Sequence, residues 1–366
     1  MRIVHFSDTH LGFSEFELES GGINQRERDF YNSFIFIIDK IIKLKPDFVV
    51  HSGDLFHKSR PSNRSIAFAF REFKRLSDAK IKTILIAGNH STPKESSKIS
   101  ILEAFNELDF IYSVSRDYKL IEFDNVAFHA LPHINDKNLL NQRVEELEDN
   151  LKEKKNILMA HCSFQKNYLM HEFGEWVFPD DKEELLDRFD YIALGHWHKF
   201  KKIRENCYYS GSSERTSAKD RDLKKHFLLV DLKKEIEVTP IEIKIRQNIN
   251  IDIDLENFES VDEVIEFLKE KTEQTDEHIV NLNLSNLNNQ VALDLDNEVL
   301  NEHLKSFNMS VKREFQEEKK IEVNFDSIDE MFMEYLLKDS DKLEQDRLRA
   351  KANHLFKTFE DRDSDN

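Results

Sequence analysis

Five times in the first 200 residues, a short apolar run ends abruptly in residues of metal-ligating type. RIVHFS leads into Asp8-Thr9-His10, DFVVHS into Gly53-Asp54, TILIA into Gly88-Asn89-His90, NILMA into His161, and DYIAL into Gly195-His196-Trp197-His198. No other feature of the chain constrains its fold as tightly. Short apolar runs rich in β-branched residues read as buried strands, here at 3–6, 48–51, 83–87, 156–159 and 191–194. Between them, residues 27–44 and 65–78 carry apolar side chains at helical spacing. That alternation specifies an α/β domain with helices packed on sheet faces, closed by a last strand, FLLV, at 227–230. In such sheets, groups just past the carboxyl ends of strands converge on one edge, where ligands bind.

Each motif alone is weak, because a D-x-H arises by chance and a histidine after a strand is more often a satisfied core residue. Five of them at five strand ends are a different matter. Imidazole, carboxylate and amide together suit manganese, iron or zinc. The chain has only 8 glycines, yet Gly53, Gly88 and Gly195 adjoin candidate ligands, where a missing Cβ permits a sharp turn and close approach.

The formal net charge of −18 argues against a protein that coats nucleic acid by bulk attraction. It leaves room for an enzyme with a local basic rim. Two cysteines, Cys162 and Cys207, exclude a disulfide framework and suggest a reducing, cytoplasmic setting. No apolar run approaches the roughly 18 residues of a membrane span, and the N-terminus reads as the first strand rather than a signal peptide.

The length predicts more than one unit. The first would be residues 1–235. From about 240 the texture changes: IEIKIRQNINIDIDL, VNLNLSNL and VALDL alternate apolar and polar residues, and VDEVIEFLKE is an amphipathic helix. We read residues 236–315 as a small α+β domain. Residues 316–366 read as a helix–loop–helix tail with apolar stripes at Ile328, Met331, Phe332, Tyr335 and Leu336, then Leu348, Ala352, Leu355, Phe356 and Phe359. Such stripes dock either on their own domain or on a partner.

The order D-x-H, G-D, G-N-H, H, G-H-x-H resembles that of the calcineurin-like metallophosphoesterases. Within them, HFSDTHLG, HSGDLFHKSRPS, GNH and GHWH are similar to the DNA double-strand-break repair nucleases of the SbcD type, relatives of the nuclease subunit of the eukaryotic MRN complex. The match covers residues 1 to about 230, with one departure at Ser91, where an acidic residue is usual. The resemblance implies an α/β fold: a four-layer αββα sandwich with a small α+β capping domain and a C-terminal helical tail. It implies one ion held by Asp8, His10, Asp54 and His198, and a second held by Asp54, Asn89, His161 and His196. Two Mn2+ per chain are expected, with Mg2+, Fe2+ or Zn2+ as alternatives. Such a pair activates a bridging water and neutralises the transition state. His90 would protonate the leaving oxygen or stabilise its charge, and His57 would help position the phosphate. Just beyond, Lys58, Arg60 and Arg64 suit a sugar–phosphate track, although such a run is also an ordinary solvated turn.

The implied activity is a manganese-dependent 3′-to-5′ exonuclease on duplex ends and an endonuclease on single strands or hairpins. The implied assembly is a homodimer through residues 66–73 and 99–105, with an SMC-like, coiled-coil ABC ATPase gripped by the tail. Two other readings compete. A phosphomonoesterase or cyclic-nucleotide phosphodiesterase would share the centre, but protein phosphatases carry an acidic residue then an arginine soon after G-D, where this chain has His57 and Lys58. A catalytically dead scaffold would lose ligands first, and none is missing. His5, His51, His129 and His133 read as strand-interior or edge residues; His226, His278, His303 and His354 receive no role.

Overall fold

The strand-end pattern becomes two six-stranded sheets lying face to face. The computed structural model describes residues 1–14, 19–20, 23–95, 98–164, 175–217, 220, 223–258, 260–272, 279–287 and 310–315, with isolated positions 291, 295, 299, 300 and 303. The first sheet contains β1 (Arg2–Phe6), β4 (Phe48–His51), β5 (Lys82–Ile86), β6 (Ile111–Val114), β13 (His226–Leu232) and β14 (Ile236–Glu242), in the order β14-β13-β1-β4-β5-β6. A two-residue hairpin, β2 (Glu19–Ser20) with β3 (Ile23–Asn24), precedes the first helix. The second sheet contains β7 (Lys119–Phe123), β8 (Val126–Leu131), β9 (Lys155–His161), β10 (Tyr191–Gly195), β11 (Lys201–Arg204) and β12 (Cys207–Tyr209), in the order β11-β12-β10-β9-β8-β7. Strands β1, β4, β5 and β6 run parallel, as do β8, β9, β10 and β12, so their carboxyl ends share an edge.

Unbroken apolar runs are required because each central strand is buried on both faces. Ile3, Phe48, Val50, Ile84 and Ile86 meet Phe128, Ile157, Met159, Tyr191 and Ala193 between the sheets. Their strand neighbours Val4, Phe6, Val49 and Leu85 face outward under α1 (Gln25–Leu44) and α2 (Asn63–Asp78). On the far side, Leu158, Ala160, Ile192 and Leu194 pack under α3 (Lys137–Asp149) through Leu140, Val144 and Leu147. Burying each such side chain contributes about 1.5–3 kcal/mol. The four-layer αββα order is therefore present. Asn24 caps α1, accepting from the Arg26 and Glu27 amides, and Ser62 caps α2 through the Ser65 amide. These caps start the helices two residues earlier than periodicity placed them.

A second unit follows, with β15 (Asn248–Asp254), β16 (Ile279–Leu287) and β17 (Ser310–Phe315) parallel in one sheet. Its single apolar face packs on α4 (Val261–Thr272) through Val264, Ile265, Leu268, Val280, Leu282 and Leu284.

Two expectations are corrected here. The boundary placed between residues 235 and 236 falls inside a hairpin, because β14 pairs antiparallel with β13 from His226–Glu242 to Leu232–Ile236. The first unit extends to Ile243, whose amide donates to the Lys225 carbonyl at 2.8 Å and whose side chain joins the core under α1 and α2, and the crossover is residues 244–247. Ile241, Ile243, Ile245, Ile249, Ile251, Ile253 and Leu255 keep one odd-numbered phase across Arg246, Gln247 and Asn248, so the pattern did not show that the halves pair with different sheets. Pro240 fits because β14 is an edge strand. In VALDL, taken as an alternating run, Val291 is helical and the Leu295 amide donates to its carbonyl at 2.9 Å. A spacing of four keeps two residues on one face in either geometry.

Cys162 and Cys207 are both buried and free. No helix among the described residues is long and apolar enough to cross a membrane. The tail, 316–366, with both apolar stripes, lies outside the described residues, as do His278 and His354.

Candidate metal centre

Past the ends of β1 and β4 the two chains remain zipped together. The Asp8 amide donates to the Gly53 carbonyl at 3.0 Å, His10 to Asp54 at 3.0 Å, Leu11 to Leu55 at 2.9 Å, and His57 back to Leu11 at 3.1 Å. The second sheet joins through the His133 amide, 2.8 Å from the Ala87 carbonyl. Among the described residues, eight non-glycine residues have positive φ, and four of them are Asp8, His10, Asp54 and His196. Left-handed backbone at such residues is strained and persists only where packing over-determines it.

The glycines explain the crowding. A Cβ on Gly53 would lie 2.1 Å from His161 Nδ1, one on Gly88 2.2 Å from Asp54 Oδ1, and one on Gly195 2.0 Å from the Ser52 carbonyl. Only glycine admits these side chains and this backbone so close.

The strand-end side chains meet in two overlapping groups. Asp8, His10 and His198 bring ligand atoms within 4.8 Å of one another, and so do Asp8, Asp54 and His161. His10 Nε2 lies 3.1 Å from His198 Nε2. His161 Nε2 lies 3.2 Å from Asp54 Oδ2 and 3.0 Å from Asn89 Oδ1, while its Nδ1 faces the Ser52 carbonyl at 2.9 Å. The carboxylate common to both groups is Asp8; the other oxygen of Asp54, Oδ1, accepts the His90 amide at 2.9 Å. His196 is set apart. Its ring lies 5.3 Å from that of His161, but its Nε2 faces Glu175 Oε1 at 3.0 Å, and its amide donates to both Asp8 oxygens at 3.1 Å.

Burial is nearly complete: Asp8, His10, Asp54, His161, His196 and His198 are each no more than 6% exposed. Burial and the neighbouring His198 push His10 well below the usual imidazole range, so it is neutral. Burial lowers His161 too, but the Asp54 carboxylate outweighs it and raises the imidazole to about 9. Burial raises Asp54, and His161, through its charge and hydrogen bond, more than offsets it, so the carboxylate stays ionised. A buried pocket that protonates one histidine to balance its carboxylate is short of positive charge.

Beside this cluster runs a groove of about 400 Å³ lined by His57, Lys58, Asn89, His90 and His133, among others. His90 Nδ1 donates to the His57 carbonyl at 2.8 Å, and the two rings stack with centroids 5.4 Å apart. His10, His57 and His90 form a third group within 4.8 Å. The basic run divides. Lys58 and Arg60 are exposed on the loop, whereas Arg64 sits in the first turn of α2, 3.6 Å from Glu27, rather than on the loop with the other two.

His5 and His51 hold the interior positions read from sequence. His5 joins the two sheets through Tyr191 Oη at 2.9 Å and Ser52 Oγ at 2.8 Å, and His51 Nε2 meets Thr9 Oγ1 at 3.0 Å. His129 lies in the second sheet between Asn156 and Tyr118. Three residues at the site escaped the sequence reading. His133 follows β8 as the other motifs follow their strands, so the strand-end rule applied evenly would have found it. Glu175 and Thr216, which contact His196 and His198, lie on irregular segments and carry no local signal.

A family model for calcineurin-like phosphoesterases matches residues 1–200. The chain is 31% identical over 306 residues to the DNA double-strand break repair protein Mre11 of Sulfolobus acidocaldarius, covering 78% of this chain and 75% of that one. Its namesake from Methanocaldococcus jannaschii is 33% identical over 291 residues, covering 74% and 75%, and the one from Methanococcus maripaludis is 29% identical over 356 residues, covering 92% and 90%. With the strand-end centre in place and likeness of this extent, the chain belongs to the calcineurin-like phosphoesterases and, among them, to the Mre11 group.

Proposed function

We propose that the chain is a two-metal nuclease that cleaves DNA during double-strand-break repair. The observation that carries this reading is the convergence of carboxylate and imidazole groups from separate strand ends into one buried pocket. The donor set fits divalent cations: His10 Nδ1 is buried without a hydrogen-bond partner, and glycines clear the space around Asp54 and His161. Asp8, His10, Asp54 and His198 would hold one ion, and Asp54, Asn89, His161 and His196 the other, with Asp54 shared. His196 would exchange Glu175 for the ion. When bound, the pair supplies an acidified water and positive charge for the phosphoryl oxygens.

The chain's own groups do the rest. His90, whose Nδ1 donates to the His57 carbonyl, presents Nε2 to the leaving oxygen and donates a proton there from the doubly protonated ring. His57, stacked on it, orients the phosphate, and Lys58 lines the groove where a sugar–phosphate backbone would run, with Arg60 exposed two residues further along the loop. A diester fits this open, cation-edged groove; the monoester reading lacks the arginine clasp. The relatives' names point to DNA breaks as the substrate.

Manganese is the proposed ion, with 3′-to-5′ exonuclease action on duplex ends and endonuclease action on single strands. A homodimer through residues 66–73 and 99–105 is supported by apolar surface on both stretches: Ile99 is 65% exposed, and Ile66, Phe70 and Ile101 are half-buried. An SMC-like ABC ATPase held by residues 316–366 completes the proposal.

Digestion of end-labelled duplex DNA with manganese tests it. His90→Ser is expected to lose about 10²–10⁴-fold in cleavage while retaining the metal. Cleavage equal to wild type would remove His90 from the mechanism. Faster hydrolysis of a chromogenic phosphomonoester than of plasmid DNA would favour the phosphatase reading.

A further inference from the structure

We infer that Thr216, Asp220 and Lys225 form a positioning chain that fixes the imidazole of His198 for cation binding; the inference rests on the proposed metal centre. For Nε2 of a histidine to offer its lone pair to a cation, Nδ1 must carry the proton and donate it to an acceptor. Thr216 Oγ1 lies 2.7 Å from His198 Nδ1 and is that acceptor. The threonine hydroxyl's own hydrogen then needs a partner, and Asp220 Oδ2 lies 3.4 Å away, also 3.4 Å from the Thr216 amide.

Asp220 is itself buried, 3% exposed, and its charge is balanced by Lys225, whose Nζ lies 3.4 Å from the same oxygen. A lysine only 2% exposed is costly unless it is paired and hydrogen-bonded. Here the ammonium makes two further bonds, to the His198 carbonyl at 3.0 Å and to Ser212 Oγ at 2.9 Å. The chain therefore closes on one residue: Thr216 holds the ring of His198 and Lys225 holds its backbone.

The strap that carries Thr216 is anchored at both ends. The Ser212 amide donates to the His198 carbonyl at 3.1 Å, and at Gly211, with φ +81°, a Cβ would lie 3.0 Å from that same oxygen. Further along, Glu214 is 1% exposed and takes Arg26 Nη2 at 2.6 Å; that nitrogen also donates to the Arg215 carbonyl at 2.8 Å. Arg215 in turn donates to the Arg246 carbonyl at 2.6 Å, in the crossover to the small unit. Thr216 is thus held in a preset position rather than drawn to His198 by chance.

A hydroxyl that merely fills space would be replaced by an isosteric valine without consequence for the ions. Manganese titration of the metal-free full-length chain, with free Mn2+ followed by electron paramagnetic resonance, distinguishes the two cases. Wild type is expected to bind two ions. Thr216→Val is expected to weaken one of them by about 10–100-fold and leave the other within about twofold, with no change in the melting temperature of the metal-free protein. Thr216→Ser, which restores the acceptor, is expected to bind as wild type does. Should Thr216→Val not fold, Asp220→Asn supplies the same reading and is expected to weaken the same ion. Two wild-type affinities in the folded valine variant, equal weakening of both ions, or a serine variant as weak as valine would overturn the positioning chain. Failure of wild type to bind manganese at all would instead overturn the metal centre.

Discussion

The sandwich and the small unit that follows it are both sheets with helices, yet among the described residues only the sandwich brings metal-ligating side chains together. In the sandwich the central strands are buried on two faces, so polar groups are pushed to the strand ends, where Asp8, His10, Asp54 and His196 sit in left-handed backbone. In the small unit β15, β16 and β17 are buried on one face only. Its polar groups spread along the open face as pairs such as Asn283 with Asp252 at 2.5 Å and Asn286 with Asp254 at 3.0 Å. Carboxylates alone therefore do not make a site in this acidic chain. Burial from both sides concentrates them and supplies the packing that tolerates strain.

The sharpest way to break this contrast is to neutralise one carboxylate in each unit. Asp54→Asn is expected to lower cleavage of manganese-supplemented duplex DNA by about 10³-fold or more, because the buried anion that balances the cations is gone. Asp252→Asn, on the open face of β15, is expected to leave it within about twofold. Comparable losses would show that acidity, not burial, defines the centre.

Packing gives the next largest effect. Phe128→Ala, in the layer between the sheets, is expected to cost about 3–5 kcal/mol and to lower the main denaturant midpoint. Leu282→Ala, in the small core, is expected to raise amide exchange in β15–β17 while leaving the exchange of β1 and β4 unchanged. Exchange that rises equally in both units would mean that they unfold together.

Acid sensitivity is smaller and again belongs to the sandwich. Burial holds His5 and His51 at about 3, against an ordinary value of 6.5. The unfolded chain takes up these protons first, so their contribution is intact above 6.5 and is lost as pH falls from 6.5 toward 3. The slope is at most about 1.4 kcal/mol per pH unit for each group. In His5→Gln, urea unfolding between pH 7 and 4.5 is expected to show a shallower pH slope. A slope unchanged from wild type would mean that His5 is charged in the fold.

The same difference in burial explains what could be read from the sequence. Strands buried twice over appear as solid apolar runs, and residues of ligand type appear where those runs stop, so the gathering of Asp8, Asp54 and His161 was legible together with the layers that place them. Open-faced strands appear as alternation, which does not name a partner. The break between β14 and β15 and the helical turn at Val291–Leu295 were therefore hidden. Glu175, Thr216 and Lys225 were hidden for another reason. Their contacts with His196 and His198 come from irregular chain brought close only by the fold, and no residue pattern announces such proximity.

Anomalous scattering from crystals of the chain soaked in manganese tests the central claim most directly. Two peaks roughly 3.5–4 Å apart, ringed by Asp8, His10, Asp54, Asn89, His161, His196 and His198, are expected. No peak among those side chains, or a single ion bound only at the exposed rim, would contradict it.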